Sequence, residues 1–170
     1  MPTQTLNVAI IGVGLVGKAF INQASRIPNL RIVALSSSTR SIYDPKGIPF
    51  DQWDSALKAS TASADVSALV SQLSSLDEPV AIVDNTSSDA IAALYPTFLS
   101  SGFHVVTPNK RAYSSSLPLF NEILSTSSER ERKIMFEATV MAGLPVISTL
   151  KDLVATGDEV GGHSSLSVLV

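Results

Sequence analysis

Residues Ala9–Phe20 read AIIGVGLVGKAF, and this stretch constrains the fold more than any other. The run Leu6–Gly12 (LNVAIIG) is apolar, rich in β-branched residues and closed by a glycine, so it predicts a buried strand. Val16, Ala19, Phe20 and Gln23 then recur at helical spacing until Pro28 and Asn29 break the pattern. A strand that enters a helix through Gly12, Gly14 and Gly17, in G-x-G-x-x-G order, places a different demand on each glycine. Gly12 permits a tight turn, Gly14 lets a bound group approach the backbone, and Gly17 lets the helix lie close to the strand. The helix start at Leu15 and Val16 then offers free N–H groups and the positive end of a dipole, which suits a phosphate. The alternative is a turn that merely joins strand and helix. The strand–glycine–helix context favours a dinucleotide pyrophosphate.

The same alternation continues along the chain. Leu30–Ser36 (LRIVALS), Pro79–Asn85 (PVAIVDN), Phe103–Pro108 (FHVVTP) and Lys133–Val140 (KIMFEATV) read as further strands. Helices are expected at Asp51–Ala59, at Asp65–Leu73 and over Ser88–Gly102, with a kink or break at Pro96. Ser116 is positioned to cap LPLFNEILST, where a proline in the first turn is tolerated. A closing amphipathic helix, GLPVISTLKDLVATG, carries Leu144, Ile147, Leu150, Leu153 and Val154 on one stripe. Near-continuous apolar strands alternating with helices predict an α/β fold with a doubly wound parallel sheet covered on both faces.

About twenty residues beyond the glycines, such domains usually carry an acidic residue for the adenosine ribose when the cofactor is NAD. Here the position falls among Ser36, Ser37 and Ser38, with Arg40 just beyond. A carboxylate would repel a 2′-phosphate, whereas hydroxyls and a guanidinium bind one, the arginine bidentately. The residues thus point to NADP(H) with Arg40 as the phosphate clamp, Lys46 or Lys58 assisting; a solvated loop with an exposed arginine is the plainer alternative.

Ligands of open α/β sheets bind beyond the carboxyl ends of the strands. Two polar clusters fall there, Asp84–Ser88 (DNTSS) and Thr107–Ser114 (TPNKRAYS). Their small hydroxyl and amide side chains suit contact with a nicotinamide or its ribose. A cation at a strand end, Lys110, can bind a substrate carboxylate or polarise a carbonyl, although such a lysine is more often simply solvated. His104 lies inside a strand pattern and reads as a packed histidine rather than an acid–base.

Composition narrows the functional classes. The 170 residues suit one domain, or one domain and part of another. With a net charge of −3 and no basic run, the chain is a poor nucleic-acid partner. No apolar run reaches membrane-spanning length. Zero cysteines exclude disulfides and thiolate metal sites and fit a cytoplasmic protein.

Taken together, NVAIIGVGLVGKAF, VDNTSSDAIAALY, VVTPNKRAYSS and FEATVMAGLPVISTLKDLVATGDE resemble homoserine dehydrogenase, especially its fungal monofunctional form. The resemblance runs from about Leu6 to Val160, and its TPNK and EATVMAGLP segments are far more specific than the glycine turn. It implies a Rossmann-type NAD(P)-binding domain and an NAD(P)-dependent interconversion of L-homoserine and L-aspartate 4-semialdehyde, on the route to threonine and methionine. It also implies a catalytic role for Lys110 beside the nicotinamide, and cofactor contacts from Asn85, Thr86 and Ser87 as well as from Gly12, Gly14, Leu15, Val16 and Gly17. NADP(H) is the favoured cofactor and NAD(H) the second. A sodium ion in the family maps onto Glu137, Val140, Ala142 and Leu144; for Glu137 the residues alone equally suggest a carboxylate at a helix N-terminus. Where the family continues into a substrate and dimerisation domain, this chain reads GGHSSLSVLV. The expected organisation is a cofactor-binding domain over 1–142, the start of a shortened substrate and dimerisation domain over 143–160, and a divergent tail over 161–170. Cofactor binding with little or no turnover is expected of such a chain, and a homodimer stays open to it although the family's main dimerisation part is missing; an inactive NADP-binding module working with a partner chain is the alternative.

Overall fold

A computed structural model describes residues 4–159; the expected tail, His163 included, lies outside the described residues. In chain order the elements are β1 (Leu6–Ile11), α1 (Leu15–Ala24), β2 (Leu30–Ser36), β3 (Ser41–Tyr43), α2 (Trp53–Ala59), α3 (Val66–Leu73) and β4 (Val80–Asp84). They continue with α4 (Asp89–Ala92), α5 (Tyr95–Ser100), β5 (His104–Val106), α6 (Arg111–Ser114), α7 (Leu117–Glu129), β6 (Ile134–Met135) and α8 (Val146–Ala155), with a 3-10 turn at Glu137–Thr139 before α8.

The strands form one sheet in the order β3-β2-β1-β4-β5-β6. Every pairing from β2 through β6 is parallel, as near-continuous apolar strands require. The strand order reverses at β1, which has β2 on one side and β4 on the other. That places the switch point, where ligands of this architecture bind, at the ends of β1 and β4.

Two features of the sheet differ from the sequence expectation. β3 is an added strand, antiparallel to β2. It is too short to register as an alternation, and it exists because the intervening turn is closed by a serine side chain described below. The expected strand over Lys133–Val140 is a ladder at Ile134–Met135 alone. Beyond it the Thr139 hydroxyl donates to the Phe136 carbonyl (2.7 Å), and the chain turns away.

Local capping chemistry fixes several helix starts. The Asp65 carboxylate accepts from the N–H groups of Ser67 and Ala68 at 2.9 and 3.2 Å, making it the cap of α3 rather than its first residue. Ser116 caps α7 through the Leu119 N–H at 3.2 Å. Pro96 divides the Ser88–Gly102 segment into α4 and α5 and sits in the first turn of the second. A proline nitrogen has no hydrogen to give the preceding turn, so the break falls at its natural place.

Each face of the sheet carries its own core. Ala9, Ile11, Ile82 and Val105 pack with Leu69 and Leu73 of α3, Tyr95, Phe98 and Leu99 of α5, and Ile123 of α7. Val8, Ile10 and Val83 point the other way and pack with Ile21 of α1 and with Ile48. A register shift between Val8 and Ala9 makes room for Val33 in β2. The α1 face is the thinner one. Toward β5 and β6 it is bare enough that Met135 is 57% exposed. The buried face of α1 consists of Gly17, Ile21 and Ala24. The stripe Val16, Ala19, Phe20 and Gln23 instead borders an open crevice, because periodicity marks a stripe without saying what covers it.

Candidate functional site

The glycine turn is tied to both neighbouring strands. The Gly12 N–H donates to the Ser36 carbonyl and the Asn85 N–H to the Ile11 carbonyl, both at 2.8 Å. Gly12 holds φ +91, a left-handed conformation, and a Cβ there would stand 2.8 Å from Thr86 Cγ2. A Cβ on Gly17 would lie 2.2 Å from the Gly12 carbonyl oxygen, so only glycine lets α1 approach the turn. Gly14 differs from both, since nothing lies within 4 Å of a Cβ built there. It caps α1 without a side-chain hydrogen bond, which leaves the N–H groups of the first turn free for a ligand. Leu15 and Val16, in that turn, are 89% and 55% exposed.

The turn Gly12–Gly14 opens onto a cleft of about 680 Å³, whose walls do not include Leu15 or Val16. Its walls are Gly12–Gly14 after β1, Ser36–Ser38 after β2, Ala64 and Val66 before α3, and Thr86–Ser88 and Ile91 after β4. No carboxylate is among them. Ser37 Oγ accepts from the N–H groups of Thr39 (3.3 Å) and Arg40 (2.9 Å) and lies 3.0 Å from the Arg40 carbonyl, closing the turn into β3. That hydroxyl is spent within the protein. Arg40 is not part of the cleft wall; its guanidinium donates to the Lys58 carbonyl at the end of α2. The Lys58 ammonium is itself paired with Asp54 at 2.5 Å. Lys46 is exposed on the loop after β3.

A second crevice, of about 360 Å³, lies on the α1 face. It is bordered by Val16, Ala19, Phe20 and Gln23 of α1, by Asn85, Thr107 and Pro108 at the strand ends, and by Met135, Glu137 and Ala138. The Asn85 side-chain nitrogen is buried there without a hydrogen-bond partner among the described residues. A buried amide donor left unpaired is costly, so it marks a place where a ligand carbonyl or phosphate oxygen fits.

Between the two openings stands a buried polar cluster whose members the sequence alone did not assign. Asp84, at the end of β4, is fully buried. Its carboxylate accepts from the Thr86 N–H (2.8 Å), the Tyr95 hydroxyl (2.6 Å) and the Asn109 amide (3.0 Å). Asn109 also donates to the Ser88 carbonyl at 3.1 Å and accepts from the Arg111 N–H at 3.1 Å. Thr107 Oγ1 donates to the Asp84 carbonyl (2.9 Å) and accepts from the Asn109 N–H (2.8 Å). Burial first, then the Asp84 charge, pushes the Tyr95 phenol far above its ordinary range, and the Tyr113 phenol is raised by the same two causes. Both stay protonated at any physiological pH. An aspartate ending an otherwise apolar strand was the available signal, because such a carboxylate must find donors; which donors could not be read from sequence separations of 11 and 25.

Lys110 is exposed and stands at the start of α6, directly after Asn109. Ser87 is the exposed residue of the opposing loop. Further on, Glu137 accepts from the N–H groups of Ile147 (2.8 Å) and Ser148 (3.0 Å), so its carboxylate caps α8. Met141 and Ala142 hold φ of 52 and 51 in the intervening turn. The Leu144 carbonyl accepts the Val146 N–H (2.9 Å), whereas those of Val140 and Ala142 accept no hydrogen bond among the described residues.

A strand–glycine–helix turn that opens an uncapped helix end onto a cleft at the sheet's switch point defines a dinucleotide-binding domain of the doubly wound, Rossmann class. Residues 12–137 match the family described as homoserine dehydrogenase, NAD binding domain. The chain belongs to that family. It is 42% identical over 163 residues to the homoserine dehydrogenase of Emericella nidulans, covering 90% of this chain and 44% of that protein. A Candida auris protein of unknown function superposes with a TM-score of 0.85 at 38% identity, over 93% of this chain and 46% of that one. A hyperthermophilic archaeal homoserine dehydrogenase mutant, solved in complex with NADPH, gives a TM-score of 0.70 at 25% identity, over 89% of this chain and 50% of that one. The chain therefore spans about half the length of the relatives it matches. Among the described residues, no helix is long and apolar enough to cross a membrane.

Proposed function

We propose that this chain binds NADP(H) in the cleft and serves the interconversion of L-homoserine and L-aspartate 4-semialdehyde in threonine and methionine biosynthesis. The observation that carries the reading is Gly14, whose missing side chain leaves open space at the mouth of a free helix N-terminus. Free N–H groups of Leu15, Val16 and Gly17 would hold the pyrophosphate. Ser36–Ser38 would face the adenosine ribose. The absence of a carboxylate on that wall favours NADP(H) over NAD(H), and an archaeal relative's NADPH complex is in keeping with this. Arg40 would clamp the 2′-phosphate after releasing the Lys58 carbonyl, with Lys58 or Lys46 beside it.

The nicotinamide, when bound, supplies or accepts a hydride at its C4. The protein's part is to place that ring and the substrate carbonyl. Asn85, Thr86 and Ser87 stand where the nicotinamide half would pass, with the unpaired Asn85 amide as a donor to it. Lys110 would bring a positive charge to the substrate oxygen, polarising the carbonyl in reduction and stabilising the alkoxide in oxidation. The sodium ion implied by the resemblance would find the free carbonyls of Val140 and Ala142. Leu144 offers an oxygen already shared with Val146, and Glu137 fits less well because both its oxygens cap α8.

Residues 1–142 form the cofactor-binding part in this reading, with α8 standing apart because it buries none of its residues. That bareness favours a second reading, an NADP-binding module completed by a partner chain or by a second copy. The absence of cysteine fits the cytoplasm.

Calorimetric titration with NADPH and NADH, followed by an assay of homoserine-dependent NADP reduction, tests the proposal. Tighter binding of NADPH is expected. Arg40→Ala is expected to weaken NADPH by about tenfold or more, the loss of one charge-assisted pair, while sparing NADH. Equal affinities before and after the substitution would dismiss the clamp. Binding of neither dinucleotide would return the glycine turn to a purely structural role.

A further inference from the structure

Asp84, Asn109 and Tyr95 line neither opening, and of their cluster Thr107 alone borders the smaller crevice. Asp84 Oδ1 holds the Thr86 N–H, and thereby the loop that presents Ser87. Its Oδ2 holds the Asn109 amide, whose other hydrogen goes to the Ser88 carbonyl of that same loop. The Asn109 side-chain oxygen meanwhile accepts the Arg111 N–H at the start of α6, one residue beyond Lys110. Thr107 adds a third tie by donating to the Asp84 carbonyl. Two loops from different strand ends are thus cross-linked by side chains that are themselves buried: Asp84 at 0% and Asn109 at 3% exposure. The outward neighbours of this cross-link, Ser87 and Lys110, are exposed. Tyr95 meets the same carboxylate from α5, and its hydroxyl lies 2.9 Å from Thr107 Oγ1, so it is a further tie between the two strand ends.

We propose that Asp84 and Asn109 form a positioning clamp that fixes the Ser87 loop and the Lys110 helix start in one register, and so sets affinity for the nicotinamide half of the dinucleotide. The inference rests on the dinucleotide reading above. It assigns Asp84 and Asn109 no contact with ligand; they act through Asn85, Thr107 and Lys110, which they hold in place. A displaced loop loses affinity even though every contacting side chain is still present. Of the cleft wall, the glycine turn and Ser36–Ser38, which would hold the 2′-phosphoadenosine half, make no hydrogen bond to Asn109, whereas Ser88 does.

The test compares binding of NADPH and of adenosine 2′,5′-bisphosphate to the full chain, at a temperature where each variant is folded by circular dichroism. Asn109→Ala is expected to weaken NADPH about tenfold, and adenosine 2′,5′-bisphosphate by less than about twofold. Asp84→Asn keeps the side-chain shape but places a donor against the Thr86 N–H; it is expected to act in the same direction and is the second variant should one of the two fail to fold. Ile123→Val, in the core beneath α7 and away from the cluster, separates positioning from mere stability: it lowers the thermal midpoint but leaves both affinities within about twofold of wild type. The clamp is overturned if Asn109→Ala leaves NADPH affinity unchanged, if both ligands weaken equally, or if Ile123→Val weakens NADPH as much as Asn109→Ala. If the unsubstituted chain binds neither ligand, the dinucleotide reading falls first, and the clamp with it.

Discussion

At the scale of single residues, the three glycines answer to different forces although the sequence spaces them as one motif. Gly17→Ala forces a methyl to within 2.2 Å of the Gly12 carbonyl oxygen and is expected to cost about 3 kcal/mol by overpacking. Gly14→Ala meets open space at an ordinary φ of −76 and is expected to change stability by less than about 0.5 kcal/mol, while weakening dinucleotide binding. Urea titration alongside calorimetry checks the pair, and a Gly14→Ala variant that bound NADPH normally would contradict the placement of the pyrophosphate. His104 supplies a pH dependence. Burial first, then the nearby charges of Arg132 and Lys133, lowers its pKa, and its Nδ1 accepts the Lys133 N–H at 2.9 Å. The folded state thus resists protonation that the unfolded state accepts. This contribution is present above the unfolded value of about 6.5 and is lost as pH falls through and below it. Urea midpoints at pH 8 and pH 5.5 are expected to differ less in His104→Gln than in the wild type. The spacing of glycines and the serine wall were legible because each is a local demand. The partners of Asp84 were not, since a hydrogen bond between strand ends leaves no trace in either segment.

At the scale of elements, the sequence marked where strands and helices run better than how long they last or which side they bury. The break at Pro96 was readable because a missing N–H acts locally. β3 leaves no mark in the sequence because three residues carry no period, and β6 is shorter than its sequence because FEATV looks like strand until Glu137 is claimed by another element. That element is α8. Its first turn is satisfied by the Glu137 carboxylate, and the Lys151 ammonium lies 4.7 Å from the centre of the Phe136 ring. Phe136 in turn stacks on Tyr113 at 4.3 Å, which joins α8 to α6 through a pair of rings. Glu137→Ala is expected to loosen α8 by about 1 kcal/mol, the worth of a cap, with little effect on the sheet. Hydrogen exchange checks this directly: the Ile147 and Ser148 amides speed up while those of β1 and β4 do not.

At the scale of the whole molecule, the parallel sheet was predictable from alternation, but its uneven covering was not. One face is closed by α3, α5 and α7; the other is closed by α1 and the Ile48 loop and stays open toward β6. Leu150, Leu153 and Val154 of α8 add to the exposed apolar surface, as does Leu144, which the expected stripe placed on this helix but which lies before its start. Sedimentation velocity over a range of concentrations is expected to show association that Leu150→Glu with Leu153→Lys abolishes, with the unfolding midpoint of the chain unchanged. A cradle stitched to β2 by Gly12 and to β4 by Asn85 has a kinetic consequence. It cannot open unless the central ladder opens, so it holds its shape before any ligand arrives. Association should then proceed in one rapid step proportional to ligand concentration, and any slower phase should belong to Arg40 leaving the Lys58 carbonyl.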